Sequence, residues 1–148
     1  MTNSNHSTSL DQDEINLINQ ISKEFSIETT EAVQLVAAVL QALRQTLTLS
    51  KATDLMNGLP DFLKLVFASN WKQAEAQVEV EHLDELVNLV MERDKRNRKF
   101  LFKSEVQTLS VIILTLKHLL KVVDLDNFNG LSHSLKQELR DVPVESAA

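Results

Sequence analysis

Apolar residues along the chain recur at steps of three and four, the spacing of one face of an α-helix. In "DQDEINLINQISKEF" (11–25), Ile15, Ile18, Ile21 and Phe25 share one stripe, and Asp11 and Glu14 have the spacing of a capping box at its start. "TEAVQLVAAVLQALRQTL" (30–47) carries a longer stripe of Val33, Val36, Leu40, Leu43 and Leu47. Ser26 or Thr29 is placed to cap it, with Glu28 and Glu31 near the positive end of its dipole. A short helix around 50–57 is expected to stop at Asn57-Gly58, where glycine could adopt the left-handed backbone. Pro60 suits the first turn of a further helix running to about Trp71.

The pattern then repeats. Residues 32–47 laid over 105–120 place Val33, Val36, Leu40, Leu43 and Leu47 on Val106, Leu109, Ile113, Leu116 and Leu120, and Arg44 on Lys117. Further on, "NGLPDFLK" (57–64) matches "NGLSHSLK" (129–136), and these two segments hold both glycines, Gly58 and Gly130. Upstream, Ile15 and Ile18 match Leu83 and Leu86, with about five residues added in the second copy near "RDKRNRKFLF". The expected fold is all-α: a compact helical bundle of two pseudo-symmetric repeats of three to four helices each. Repeat one spans about 13–71 and repeat two about 81–140, in a single domain over 11–141 between flexible tails at 1–10 and 142–148. The two long helices are expected to pack on each other.

Composition narrows the function classes. The 148 residues suffice for one domain with a real core. Two glycines and two prolines favour long helices over a turn-rich β fold. The absence of cysteine removes disulfides, thiolate metal sites and cysteine nucleophiles, and fits a reducing cytoplasm. The start is polar, without the pattern of a signal peptide. Lys117 and Lys121 interrupt the most apolar stretch before it reaches the ~20 residues of a membrane span, so no membrane partner is expected. A net charge of −6 disfavours general binding to phosphate backbones.

"AVLQALRQTLTLSKATDLMNGLPDFLKLVFASNW" resembles the bacterial "domain of unknown function 2267" family. The carrying positions are Val39, Leu40, Leu43, Arg44, Leu59, Pro60, Leu63, Lys64 and Trp71, and the likeness extends over roughly 13–141. The second copy departs from it, with Leu131-Ser132 in place of Leu-Pro. The resemblance implies an internally duplicated, all-helical bacterial protein, and it implies no activity.

Candidate chemistry is sparse. There is no glycine-rich phosphate loop, G-x-S-x-G or H-E-x-x-H. His82, His118 and His133 stand singly; His118 reads as a boundary residue and His133 as a helix-start residue. Glu75, Glu79, Glu81, Asp84 and Glu85 read as a carboxylate-rich helix N-terminus, and the E-x-x-H spacing of Glu79 and His82 has no second copy to make a metal site. No catalytic activity, metal or cofactor is expected.

Two features remain as candidate partner-binding sites. "ERDKRNRKFLFK" (92–103) sets Arg93, Lys95, Arg96, Arg98, Lys99 and Lys103 against Glu92 and Asp94, a local charge of +4. It reads as a helix C-terminus and solvated loop, with Phe100 and Phe102 turned into the core, or as a site for an anionic partner. Phe67 and Trp71 extend an aromatic stripe that reads as core or as a partner-facing surface. The expected role is a protein–protein interaction or self-association module. The alternative is a nucleic-acid or anionic-partner binding accessory protein using 93–103.

Overall fold

A computed structural model of the chain describes residues 12–72 and 75–142. Asp11, with the capping role expected of it, and the tails at 1–10 and 143–148 lie outside the described residues. Within them are seven α-helices and no strand: α1 (Gln12–Phe25), α2 (Thr29–Gln45), α3 (Leu49–Asn57), α4 (Asp61–Ala68), α5 (Leu83–Arg96), α6 (Glu105–Val122) and α7 (His133–Asp141), with a 3-10 turn at Leu125–Asn127. No described helix is long and apolar enough to cross a membrane.

The long helix α2 is the centre of the bundle, packing against α1, α4, α5 and α6. It is therefore buried on more than one stripe: Leu35, Val36, Val39, Leu40, Ala42 and Leu43 are all shielded from solvent. The expected contact between the two long helices is present, and α6 also packs on α1, α5 and α7.

The burial of α6 differs from the expected stripe. Its buried face is Thr108, Val111, Ile112, Thr115, Leu116 and Leu119. That face is rotated by about one residue, roughly 100°, from the set running Val106, Leu109, Ile113, Leu116, Leu120. Val106 is 77% exposed and Leu109 is 36% exposed. An 18-residue helix apolar on most of its circumference has no unique stripe, so its packing partners choose the rotation.

The helix ends also correct the expectations. Glu28, not Ser26 or Thr29, caps α2, and its backbone N–H donates to the Glu31 carboxylate at 3.3 Å. Glu14 is buried and turned to His118. Ser132 caps α7 through the Leu135 N–H (3.0 Å), filling the place that Pro60 holds before α4.

Gly58 does end α3, but with φ −91° rather than in the left-handed region, and Gly130 has no positive φ either. Close approach accounts for Gly130, and Gly58 is tight against one side chain only. A Cβ on Gly130 would lie 2.4 Å from the Phe128 ring and 2.8 Å from Leu47 Cδ2, and one on Gly58 would lie 3.1 Å from Val123 Cγ1. Each glycine thus faces the end of the long helix in the other half of the chain.

The connection between α5 and α6 (97–104) is longer than that between α1 and α2 (26–28), and the extra length falls in the basic segment. Phe102 is buried there, whereas Phe100, expected in the core, is 59% exposed with φ 50°.

Candidate functional site

The last turn of α2 carries two polar residues, Arg44 and Gln45, into a buried position. Helix α4 stops at Ala68, short of the expected Trp71, and Asn70 takes φ 57°. The turn leaves the carbonyls at the end of α4 without helical partners, and Arg44 supplies the donors. Its Nη1 donates to the carbonyls of Phe67 (2.7 Å) and Ser69 (2.9 Å), and its Nη2 to that of Asn70 (3.4 Å). Trp71 folds back over the guanidinium, with the Arg44 Cζ 5.4 Å from its ring centre. The Trp71 ring meets the fully buried Phe67 edge to face at 6.1 Å. Trp71 therefore lies beyond α4, over a buried cation, whereas Phe67 stays on the buried stripe of α4 four residues after Leu63.

Glu75 joins this unit to α5. Its carboxylate lies 3.8 Å from Arg44 Nη2 and pairs closely with Arg93. Arg93 Nη1 also donates to Gln45 Oε1 at 2.6 Å. Gln45 Nε2 in turn donates to the Ala76 carbonyl (2.9 Å), and Gln77 Nε2 to that of Thr46 (3.1 Å). Burial, followed by the nearby charge of Arg93, pushes the Arg44 guanidinium below its usual pKa, while Glu75 opposes the shift. Glu75 is thus the carboxylate between two guanidiniums and does not belong to a helix N-terminus as the sequence pattern suggested.

At the end of α5, the buried Asp94 carboxylate accepts from the N–H groups of Leu101 and Phe102, both at 3.0 Å. This folds the basic loop back against the bundle. A cleft of about 830 Å³ lies between the loop, α2 and residues 69–72 and 75–76. Helix α2 lines it with Gln34, Ala37, Ala38 and Gln41. Ser69, Asn70, Lys72 and Glu75 line it from beyond α4, and α5 with its loop adds Arg93, Asp94, Arg96, Asn97 and Lys99.

Five of the candidate residues from the basic segment therefore separate. Arg93, Arg96 and Lys99 line the cleft; Lys95 and Arg98 are exposed and do not. Phe67 is core, and Trp71 stands beside a small neighbouring recess rather than in the cleft. Arg93 is engaged by Glu75 and Gln45, but no acidic partner engages Lys72, Arg96 or Lys99 among the described residues. Sequence reasoning missed Lys72, Gln34, Gln41 and the Arg44–Glu75 contact. Arg44 did carry a signal, a charge directly following the apolar position Leu43.

Two histidines are paired. His118, expected at a boundary, is buried and its Nε2 lies 2.8 Å from Glu14 Oε2, joining α6 to α1. His82 Nδ1 lies 2.8 Å from Glu138 Oε2, while Glu138 Oε1 accepts from the Leu83 N–H at 2.8 Å, pinning α7 to the start of α5. The hydrogen bond and charge of Glu138 raise the His82 pKa; the Leu83 N–H and then His82 lower that of Glu138. Among the described residues, no three His, Asp or Glu side chains are grouped to hold a metal ion.

A second, open groove of about 880 Å³ runs between α5, α6 and α7. Leu83, Val87, Val106, Leu109 and Ile113 form its apolar wall, with Asp84, Glu105, Glu138 and Asp141 around it.

No curated protein matches the chain. Residues 16–142 match the model of a family described as an uncharacterized conserved protein, domain of unknown function 2267, and the chain belongs to that family.

Proposed function

We propose that the protein is a cytoplasmic binding module without catalytic activity, and that its working surface is the basic cleft, which takes an anionic partner. The observation that carries this reading is the convergence of Lys72, Arg96 and Lys99 from two segments on one concavity, each without an acidic partner. In a chain of net charge −6, the cleft gathers four cations against the two carboxylates Glu75 and Asp94, and a bound anion would relieve the remaining like-charge repulsion. The remaining polar groups of the wall are mostly amides, and no histidine lines it, which favours recognition over acid–base chemistry. The test is calorimetric titration at low salt with citrate, pyrophosphate, polyglutamate and a single-stranded DNA 12-mer. Saturable binding of at least one, lost in a Lys72→Ala/Arg96→Ala/Lys99→Ala variant, supports the reading; no binding of any rejects it.

A second reading is self-association or a protein partner on the α5–α6–α7 groove. It is favoured by Val106, 77% exposed, and Leu109, 36% exposed, both on the apolar wall of that groove. Light scattering over a range of concentrations tests self-association. A dimer that Val106→Glu dissociates supports it, and a strict monomer leaves that arm without support.

A further inference from the structure

Building on the anionic-partner reading, we infer that the cleft is a site for a compact phosphorylated small molecule, with its phosphate on Lys72, Arg96 and Lys99 and its uncharged part against α2. Three features separate this from a polymer track or a carboxylate site.

The first is size and shape. About 830 Å³ lies within the range of small-ligand pockets, ~300–1,000 Å³. A track for single-stranded nucleic acid combines a long basic groove with exposed aromatic platforms for successive bases. No aromatic residue lines this cleft, and the exposed Phe100 lies outside its walls.

The second is the distribution of charge. Glu75 already neutralises Arg93, and both oxygens of Asp94 accept backbone N–H groups. Lys72, Arg96 and Lys99 have no ion pair among the described residues, and with Arg93 paired to Glu75 they face one further carboxylate, Asp94, so the lining keeps a net positive charge. A phosphate monoester, with up to two charges and three acceptor oxygens, matches such a cluster better than a single carboxylate.

The third is the opposite wall. Ala37 and Ala38 leave a shallow apolar floor flanked by Gln34 and Gln41. Neither glutamine side chain has a hydrogen-bond partner among the described residues. Amide groups with both donor and acceptor ends, beside small apolar side chains, suit the hydroxyls or heteroaromatic edge of a sugar phosphate or mononucleotide.

The sole tryptophan gives a readout. Trp71 covers Arg44, which Glu75 links to the Arg93 wall of the cleft, so occupancy should change its emission. Trp71 fluorescence and calorimetry would be followed with inorganic phosphate, adenosine monophosphate, ribose 5-phosphate, ribose, citrate and the DNA 12-mer. Phosphate should bind saturably, and at least one of the two phosphate esters should bind more tightly by tenfold or more. Ribose should not bind. Arg96→Ala/Lys99→Ala should weaken ester binding at least tenfold. Lys95→Ala/Arg98→Ala removes the same charge outside the cleft and should change it less than twofold. Gln34→Ala/Gln41→Ala should erase the advantage of the ester over phosphate. Binding of only citrate or DNA overturns this inference while sustaining the anionic-partner reading, as does binding that both arginine–lysine pairs weaken equally. Binding of no anion to chain that circular dichroism shows folded overturns both.

Discussion

The guanidinium of Arg44 lies under the ring of Trp71, 5.4 Å from its centre, while holding the three carbonyls that end α4. One buried cation therefore fixes the direction in which the chain leaves α4 and the position of the residues that follow. Removing it strands those carbonyls and leaves Glu75 with one cationic partner. Arg44→Met should cost about 3–5 kcal/mol, as for the loss of one member of a buried charged pair. Trp71→Leu should cost less, about 1–2 kcal/mol, because the hydrogen bonds remain. Urea unfolding followed by circular dichroism measures both, and an Arg44→Met cost below ~1 kcal/mol would mean that water replaces the guanidinium.

The Glu14–His118 contact joins α1 to α6 where Glu14 Oε1 and, on α6, Thr115 Oγ1 have no hydrogen-bond partner. Such a site is costly to half-empty and cheaper to replace whole. His118→Leu alone should destabilise by about 3 kcal/mol. Glu14→Leu/His118→Leu should lose less than the sum of the two single variants. Additivity in that double-mutant cycle would show that the residues are not coupled.

The two glycines should respond differently to alanine. At Gly130 the new methyl group meets the Phe128 ring and Leu47, and the cost should be about 1–3 kcal/mol, typical of overpacking. At Gly58 the neighbour is a single Val123 methyl at 3.1 Å and φ −91° suits alanine, so the change should stay within about 1 kcal/mol. Equal losses at the two sites would contradict the packing account.

The His82–Glu138 contact gives a pH dependence to the docking of α7. The folded pKa of His82 is raised, so its contribution is complete below the unfolded value of about 6.5 and fades as pH rises through the folded value. That of Glu138 is lowered, so its contribution is complete above the usual carboxylate range and fades as pH falls through the folded value. The pair therefore acts most strongly between roughly pH 5 and 6.5. Both side chains are well exposed, so the effect is small and salt-sensitive. In thermal melts, the difference between wild type and His82→Gln should narrow from pH 6 to pH 8.5; a constant difference would exclude titration as the cause.

Much of the fold was legible because helical spacing is local. The stripes over 11–25 and 30–47, the stop at Gly58 and a helix start at about Pro60 all depend on residues within a turn or two of one another. The site was half legible. The basic segment stood out as a run of charge, but nothing in its spacing distinguished Arg96 and Lys99 from Lys95 and Arg98. That distinction depends on the rotation of α5 and on how Asp94 folds the loop back. Lys72 and Glu75, about twenty residues upstream, carry no local mark connecting them to it.

The sequence by itself determined that this chain is helical, roughly where its first three helices begin and end, and that it has no cysteine chemistry, because these follow from composition and from contacts along one helix. Tertiary structure alone decided which face of α6 is buried, how tightly Gly130 is packed, and which charges are spent. Arg44 and Arg93 become internal ties because Glu75 reaches both, His118 becomes core because Glu14 meets it, and Lys72 joins Arg96 and Lys99 across one cleft. Each is a meeting of residues far apart in the chain, and periodicity along a single helix holds no record of what another helix brings to it.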